Sequence, residues 1–286
     1  MQAAAAATPL AVEIDGLAVV RGGRVLLELP RLAVRAGERV AIVGANGAGK
    51  STLLRVLGGF VPATTGRVRV LGRELGRELG PALPARALRE LRAEVGQMMQ
   101  GLHPVPRLTA RENVLIGALA RWPGWRSWAR LPSPALRAEA EAALAELGLA
   151  ALADQRADRL SGGERQKLAL ARLRLQRPRL VLADEPTSAL DPTAVEEACA
   201  VLAGVAQGAT LLTVLHHPAL LPRLAGRVIG LREGRLVWDL PVERVDAESL
   251  AQVYRAVARP GPGLGAPADE VHLAPALVDG RARGVA

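Results

Sequence analysis

The chain has 286 residues, half of them hydrophobic and only 2% aromatic, so it can bury a large α/β core, but one made of Leu, Val, Ile and Ala. Its 37 Lys and Arg against 28 Asp and Glu leave a formal charge of +9, yet the arginines are scattered and no run of five or more like charges appears, so no nucleic-acid partner is expected. One cysteine, Cys199, excludes an internal disulfide, and no uninterrupted apolar run approaches the ~18 residues of a membrane span.

The opening "MQAAAAATPL" lacks a basic segment and a long apolar core, so no secretory leader is expected. Residues 10–36 read as strands broken by "RGG", because Val12 and Ile14, then Leu17 and Val19, alternate with period two. "RVAIVG" (39–44) is apolar throughout, as a strand buried on both faces should be, and "STLLRVLGGF" follows as a helix. The tandem "GRELGREL" (72–79) reads as a surface loop, and residues 85–95 as a helix with Leu88, Leu91 and Val95 on one face.

Residues 101–160 read as mainly helical, with a stripe at Leu136, Ala140, Ala143, Leu144 and Leu147 and a stop at Gly148. A helix then follows "LSGGE", a strand "RLVLAD", a helix "PTAVEEACAVLAGVA" and a strand "TLLTVLHH". "RVIGL" and "GRLVWDL" read as a hairpin around "REG". Strands alternating with helices predict a mostly parallel sheet. From Arg259 a Pro, Gly and Ala-rich tail (259–286) is expected to lack fixed structure.

Between the buried strand and its helix lies "GANGAGKST", and Gly44, Gly49, Lys50 and Ser51 fit the spacing of a phosphate-binding loop. Glycines let backbone N–H groups approach a phosphate, the helix start adds partial positive charge, and the Ser51 hydroxyl can ligate Mg²⁺. The chain has only two lysines, Lys50 and Lys167, and otherwise writes arginine. A compact ammonium fits between phosphate oxygens in a closed loop where a planar guanidinium would not, so Lys50 reads as required by geometry.

Downstream, "RLVLADEP" is an apolar strand ending in two carboxylates. Asp184 is expected to hold the Mg²⁺ shell, and Glu185 to face the γ-phosphate and polarise the attacking water. "LSGGE", a leucine, a serine and two glycines opening a helix, offers a second anion site from the Ser161 hydroxyl, free N–H groups and the helix dipole. Two such sites are hard to bring onto one nucleotide within one subunit, whereas two copies head to tail about a two-fold axis do so twice.

These stretches, in this order, resemble the ABC-transporter ATPase family over roughly residues 10–245. Gly44, Ala45, Asn46, Gly47, Ala48, Gly49, Lys50, Ser51 and Thr52 look like its Walker A loop, and Ser161, Gly162, Gly163 and Glu164 like its signature, which contacts the partner's ATP. "LVLADE" is similar to the Walker B strand with its catalytic glutamate at Glu185. Ser188, Ala189, Leu190 and Asp191 resemble the D-loop, and His216 the switch histidine, leaving His217 as a partly exposed strand-end residue. Gln100 resembles the Q-loop glutamine, which joins Ser51 and Asp184 at the metal and contacts the transport partner.

The resemblance implies a P-loop NTPase core of RecA-like type, an N-terminal antiparallel β subdomain and a helical subdomain inserted at about 97–160. It also implies ATP and Mg²⁺ as cofactors, a second copy and integral-membrane permease subunits as partners, and indirectly a solute-binding protein. The place implied is the cytoplasmic face of the membrane, as a peripheral subunit. Residues 113–131 with Trp122, Trp125 and Trp128, and the ending "RVIGLREGRLV", look like phosphonate-import ATPases. The three tryptophans either anchor a segment of the permease or pack inside the helical subdomain. An importer with another solute, or a non-transport ABC ATPase in a phosphonate-breakdown complex, would carry the same motifs. One departure stands out. Family members stack adenine on an aromatic residue upstream of Walker A, and that position falls near Arg21, with no Tyr, Phe or Trp before Phe60.

Overall fold

In the computed structural model the described residues are 8–76, 83–99, 104–122, 132–187, 190 and 192–254. Strands β1 (Leu10–Arg21) and β2 (Arg24–Arg35) close through Gly22 and Gly23 into a long hairpin, with Val12, Ile14, Leu17 and Val19 buried on one face as the alternation predicts. The remaining strands are β3 (Arg39–Val43), β4 (Thr65–Val70), β5 (Arg73–Gly76), β6 (Val95–Met98), β7 (Leu180–Asp184), β8 (Thr210–Val214), β9 (Arg227–Arg232) and β10 (Arg235–Pro241).

All ten form one sheet in the order β5-β4-β1-β2-β10-β9-β3-β8-β7-β6. From β9 to β6 the strands run parallel; β10 turns back against β9, and β2, β1, β4 and β5 pair antiparallel with one another. The seam between the two halves is a single parallel pairing, Arg235 with Glu28, backed by an ion pair at 2.9 Å. The core strands are thus parallel and the N-terminal strands antiparallel, as read, and the two portions share one sheet through β2 and β10.

β3 is buried on both faces: Val40 and Ile42 enter one core cluster, Ala41 and Val43 the other. β7 repeats the pattern, with Leu180 and Leu182 on the first face and Val181 and Ala183 on the second. Such strands must be apolar at every position, which is why periodicity is absent and length and composition identify them.

The helices are α1 (Lys50–Leu57), α2 (Ala85–Glu94), α3 (Ala110–Ile116), α4 (Pro134–Glu146), α5 (Gly162–Gln176), α6 (Pro192–Val205), α7 (Leu221–Leu224) and α8 (Ala247–Tyr254). α3 opens with a reciprocal cap, Thr109 with Glu112, and α4 with Ser133 followed by Pro134. The stripe read on α4, from Leu136 to Leu147, is buried at every position, and α3, α4 and α5 pack on one another. Asn113, fully buried, binds both backbone groups of Val105 and the carbonyls of Leu108 and Thr109, which fixes the entry to α3.

Several readings differ from this outcome. Part of "GRELGREL" is not loop: Arg73–Gly76 forms edge strand β5, paired with β4 and supported by Glu74 near Arg67 and Arg69. β6 occupies Val95–Met98, so it ends just inside the stretch of about 97–160 assigned to the helical insertion. β8 ends at Val214, so His216 and His217 lie beyond the strand. Trp122 packs against the helical core, while Trp125, Trp128, Gln100, Ser188, Ala189, Asp191 and the tail 259–286 lie outside the described residues.

Candidate functional site

The carboxyl ends of β3, β7 and β8, neighbours in the sheet, bring the loop after β3, the acid pair after β7 and His216 to one edge. β3 has β8 on one side and β9 on the other, and this is the position where parallel sheets open a crevice for ligands.

The loop Gly44–Thr52 cannot carry side chains at two points. A Cβ on Gly44 (φ 148°) would come 2.1 Å from the Leu231 carbonyl oxygen. Gly49 has φ 95° and caps α1, and a Cβ there would meet the Leu26 carbonyl oxygen at 3.0 Å. No side chain caps the first turn of α1, so its N–H groups remain for an anion. Lys50, 6% exposed, donates from Nζ to the carbonyls of Gly44 (2.7 Å) and Ala45 (2.9 Å). Burial pushes the Lys50 pKa down, and the Glu185 and Asp184 carboxylates pull it partly back up.

Asp184 ends β7 with its carboxylate buried, and neither oxygen has a hydrogen-bond partner within bonding geometry. Burial pushes its pKa up; the Ser51 hydroxyl beside it, Arg55 and Lys50 pull the other way. An orphaned buried carboxylate facing a hydroxyl is a strained arrangement for a protein alone and a fitting one for a hard cation with oxygen ligands. Among the described residues no three of His, Cys, Asp or Glu are arranged to hold a metal ion by themselves, so such a cation would need further oxygens from water or a nucleotide.

Glu185 has φ 53°, a left-handed backbone rare for a residue with this side chain. Its N–H donates to the Val214 carbonyl at 3.2 Å, and its carboxylate lies 2.6 Å from His216 Nε2. At that distance the ring nitrogen and the carboxylate oxygen share one hydrogen bond. The structure thus brings His216, but not His217, to the acid pair; His217 precedes a short 3₁₀ turn.

Ser161 caps α5 in a reciprocal box: its Oγ accepts from Glu164 N–H (3.2 Å), and Glu164 Oε2 accepts from Ser161 N–H (2.7 Å). The expectation of free N–H groups narrows accordingly to Gly162 and Gly163, since Glu164 already satisfies Ser161. Leu190 packs against the core beside Thr187, whose carbonyl accepts from its N–H.

Two parts of the site escaped the sequence reading. Gln166 of α5 donates to the Glu185 backbone carbonyl at 3.2 Å. The helix α8 lies against the phosphate loop: Ala45 N–H donates to the Val253 carbonyl (3.2 Å), Val253 is fully buried, and half-buried Tyr254 stands beside Gly44. Arg232 donates to the Gln252 carbonyl and Trp238 Nε1 to the Ser249 carbonyl, fastening the same helix to β9 and β10. A signal for α8 existed in "VDAESL", where Asp246 accepts from the N–H and the hydroxyl of Ser249 as an N-terminal cap.

Residues 27–188 match the family described as ABC transporter. The phosphonates import ATP-binding protein PhnC 2 of Pseudomonas aeruginosa (strain UCBPP-PA14) is 43% identical over 249 residues, covering 86% of this chain and 91% of that protein. The corresponding PhnC protein of Frankia casuarinae is 39% identical, covering 86% and 96%. Among solved structures, the dimeric bacterial ABC transporter cassette MJ0796 superposes with a TM-score of 0.69 at 26% identity, over 81% of this chain and 98% of that one. The same cassette in a post-hydrolysis state with ADP and Pi gives 0.68 at 27% identity, over 81% and 98%. The chain belongs to the ABC transporter family, as an ATP-binding cassette.

Proposed function

We propose that this chain is the ATP-hydrolysing subunit of an importer for phosphonates or a related phosphorus compound. The observation that carries the mechanism is the pairing of Glu185 with His216 at 2.6 Å, beside a buried lysine and an orphaned buried carboxylate. The likeness in sequence to two phosphonate-import ATP-binding proteins supports the choice of solute.

In this reading the N–H groups of the Gly44–Thr52 loop and of the α1 start bind the phosphates, and Lys50 exchanges its two carbonyls for phosphate oxygens. Ser51 and Asp184, and Gln100 as the resemblance implies, would hold Mg²⁺, which would neutralise charge developing on the phosphates. Glu185 accepts the proton of the attacking water, and His216 orients the Glu185 carboxylate and the γ-phosphate.

Ser161, Gly162 and Gly163 serve the nucleotide of a second copy, which the dimeric state of the MJ0796 cassette supports. The stretch that resembles the D-loop, of which Leu190 is described, would serve the second copy as well. No helix among the described residues is long and apolar enough to cross a membrane. The likeness to import ATP-binding proteins supports permease subunits that hold the cassette at the cytoplasmic face, with a solute-binding protein on the other side.

The test is ATPase stimulation in a complex reconstituted with permease and binding protein, screened across phosphonates, phosphite, phosphate and amino acids. Stimulation by phosphonates supports the reading; stimulation by amino acids alone replaces the solute, and a cassette indifferent to any permease removes the importer.

A further inference from the structure

The helix that opens at Ser161 is also fastened to the end of β7. One and a half turns into α5, Gln166 donates from Nε2 to the Glu185 backbone carbonyl at 3.2 Å. The other side of Glu185 is held as well, since its N–H donates to the Val214 carbonyl at 3.2 Å. Between these anchors the residue sits at φ 53°. A glutamate leaves that region unless its surroundings hold it there, and a residue so held at a reactive site marks a place where geometry matters. The next side chain on α5, Lys167, donates to Glu197 Oε2 on α6 at 2.7 Å, so this turn of α5 is fixed on two sides.

We infer that Gln166 is a positioning residue for hydrolysis: it holds the Glu185 carbonyl, keeps the backbone left-handed and thereby aims the carboxylate at its place beside His216. Released from the amide, the peptide after Glu185 can rotate and φ can return to negative values, which swings the carboxylate away. A displacement of about 1 Å at a reacting group costs on the order of 100-fold in rate, so a partial loss of aim is visible kinetically. The same helix carries Ser161 at its first turn, about 7–8 Å along the axis from Gln166. Movement of that turn against another copy's nucleotide therefore pulls on this copy's own Glu185. The inference rests on Glu185 being the base.

The experiment uses the full chain with Gln166→Met, which keeps length and loses the donor, and Gln166→Glu, which keeps the shape and can only accept when ionised. Turnover at saturating ATP falls about tenfold in both, while ATP affinity by direct titration stays within about twofold. In a Glu185→Gln background, adding Gln166→Met leaves the residual single-turnover rate unchanged, because there is no base left to aim. Turnover within about twofold of wild type, an equal loss of affinity, or the same tenfold loss repeated in the Glu185→Gln background overturns the inference. If Gln166→Met does not fold, Gln166→Glu decides. Wild-type turnover by Glu185→Gln alone is a separate failure: it removes Glu185 as base before Gln166 is tested.

Discussion

His216 Nε2 stands 2.6 Å from Glu185 Oε1, one residue reaching in from beyond β8 and the other from the end of β7. The contact joins a candidate base to a group that can orient it. Glu185→Gln keeps the shape and removes the base, so ATP binding persists and turnover falls by about 10²–10⁴-fold. The variant then accumulates as an ATP-bound dimer on size exclusion. Steady-state hydrolysis at the wild-type rate would remove the assignment.

Lys50 gives the sharpest contrast with the arginine-rich remainder of the chain. Its ammonium is buried between two loop carbonyls, with a Leu231 and Leu26 backbone wall behind the loop glycines. A guanidinium is broader and cannot turn in that space. Lys50→Arg is therefore predicted to lose ATP affinity nearly as far as Lys50→Ala, on the order of 100-fold. Isothermal titration that found the arginine variant within a few-fold of wild type would contradict the geometric reading.

Asp184 costs the fold stability because its carboxylate is buried, and that burial, with the neighbouring Glu185 carboxylate, holds its pKa up against the pull of Ser51, Arg55 and Lys50. A raised carboxyl pKa means that the folded state binds more protons than the unfolded one between the ordinary and the raised value, so stability falls as pH rises through that window. Asp184→Asn is predicted to raise Tm by about 2–4 °C at neutral pH. The gain shrinks toward acid pH, below the ordinary carboxyl value, where the aspartate is neutral in both states. Mg²⁺-dependent ATP affinity is lost in the same variant. A Tm that drops at neutral pH would show that Asp184 is compensated by contacts of its own.

Much of this site was legible because its constraints reduce to spacing. A loop that must bring N–H groups to a phosphate writes glycines at fixed intervals, and Gly44 and Gly49 do sit where a Cβ would strike backbone. A strand buried on both faces writes an apolar run, as β3 and β7 do. What stayed hidden depends on tertiary contacts. β6 is four residues long, too short for a period, and Gly96 is small because a Cβ would meet Leu173 Cδ1 of α5 at 2.3 Å. The strand before His216 reads through to His217 in composition, yet its pairing stops at Val214. Gln166 bonds a backbone carbonyl, and no side-chain pattern announces that.

The hold of α8 on the phosphate loop gives another test. The Trp238 ring covers Gly230, where a Cβ would lie 2.4 Å from a ring atom, and its Nε1 donates to the Ser249 carbonyl. Trp238→Ala opens a gap beneath α8 and loosens the Val253 contact with Ala45. Truncation of a half-buried ring costs about 2 kcal/mol, or about 4–8 °C in Tm. KM for ATP rises several-fold with kcat kept at saturation. A KM unchanged alongside the lowered Tm would show that the helix supports the fold but not the loop.

At the tip of the β1–β2 hairpin Arg21 pairs with Arg24 and Val20 with Val25, all four exposed. The hairpin leads directly to Leu26 and Leu27, which touch Gly49 of the phosphate loop, so a base extending from bound phosphates has this tip within reach. The tip offers aliphatic and guanidinium surface but no ring, and a base stacked on either face is held about equally whether it is adenine or guanine. GTP is therefore predicted to be hydrolysed with kcat/KM within about fivefold of ATP, a difference of about 1 kcal/mol. Arg21→Tyr supplies a stacking face worth about 1–3 kcal/mol and is predicted to tighten both nucleotides by at least about fivefold. Both outcomes are read from nucleotide titrations and initial rates on the same preparations. A wild-type protein that rejects GTP by about 100-fold would mean that other residues read the base, and an Arg21→Tyr variant of unchanged affinity would move the base away from this hairpin.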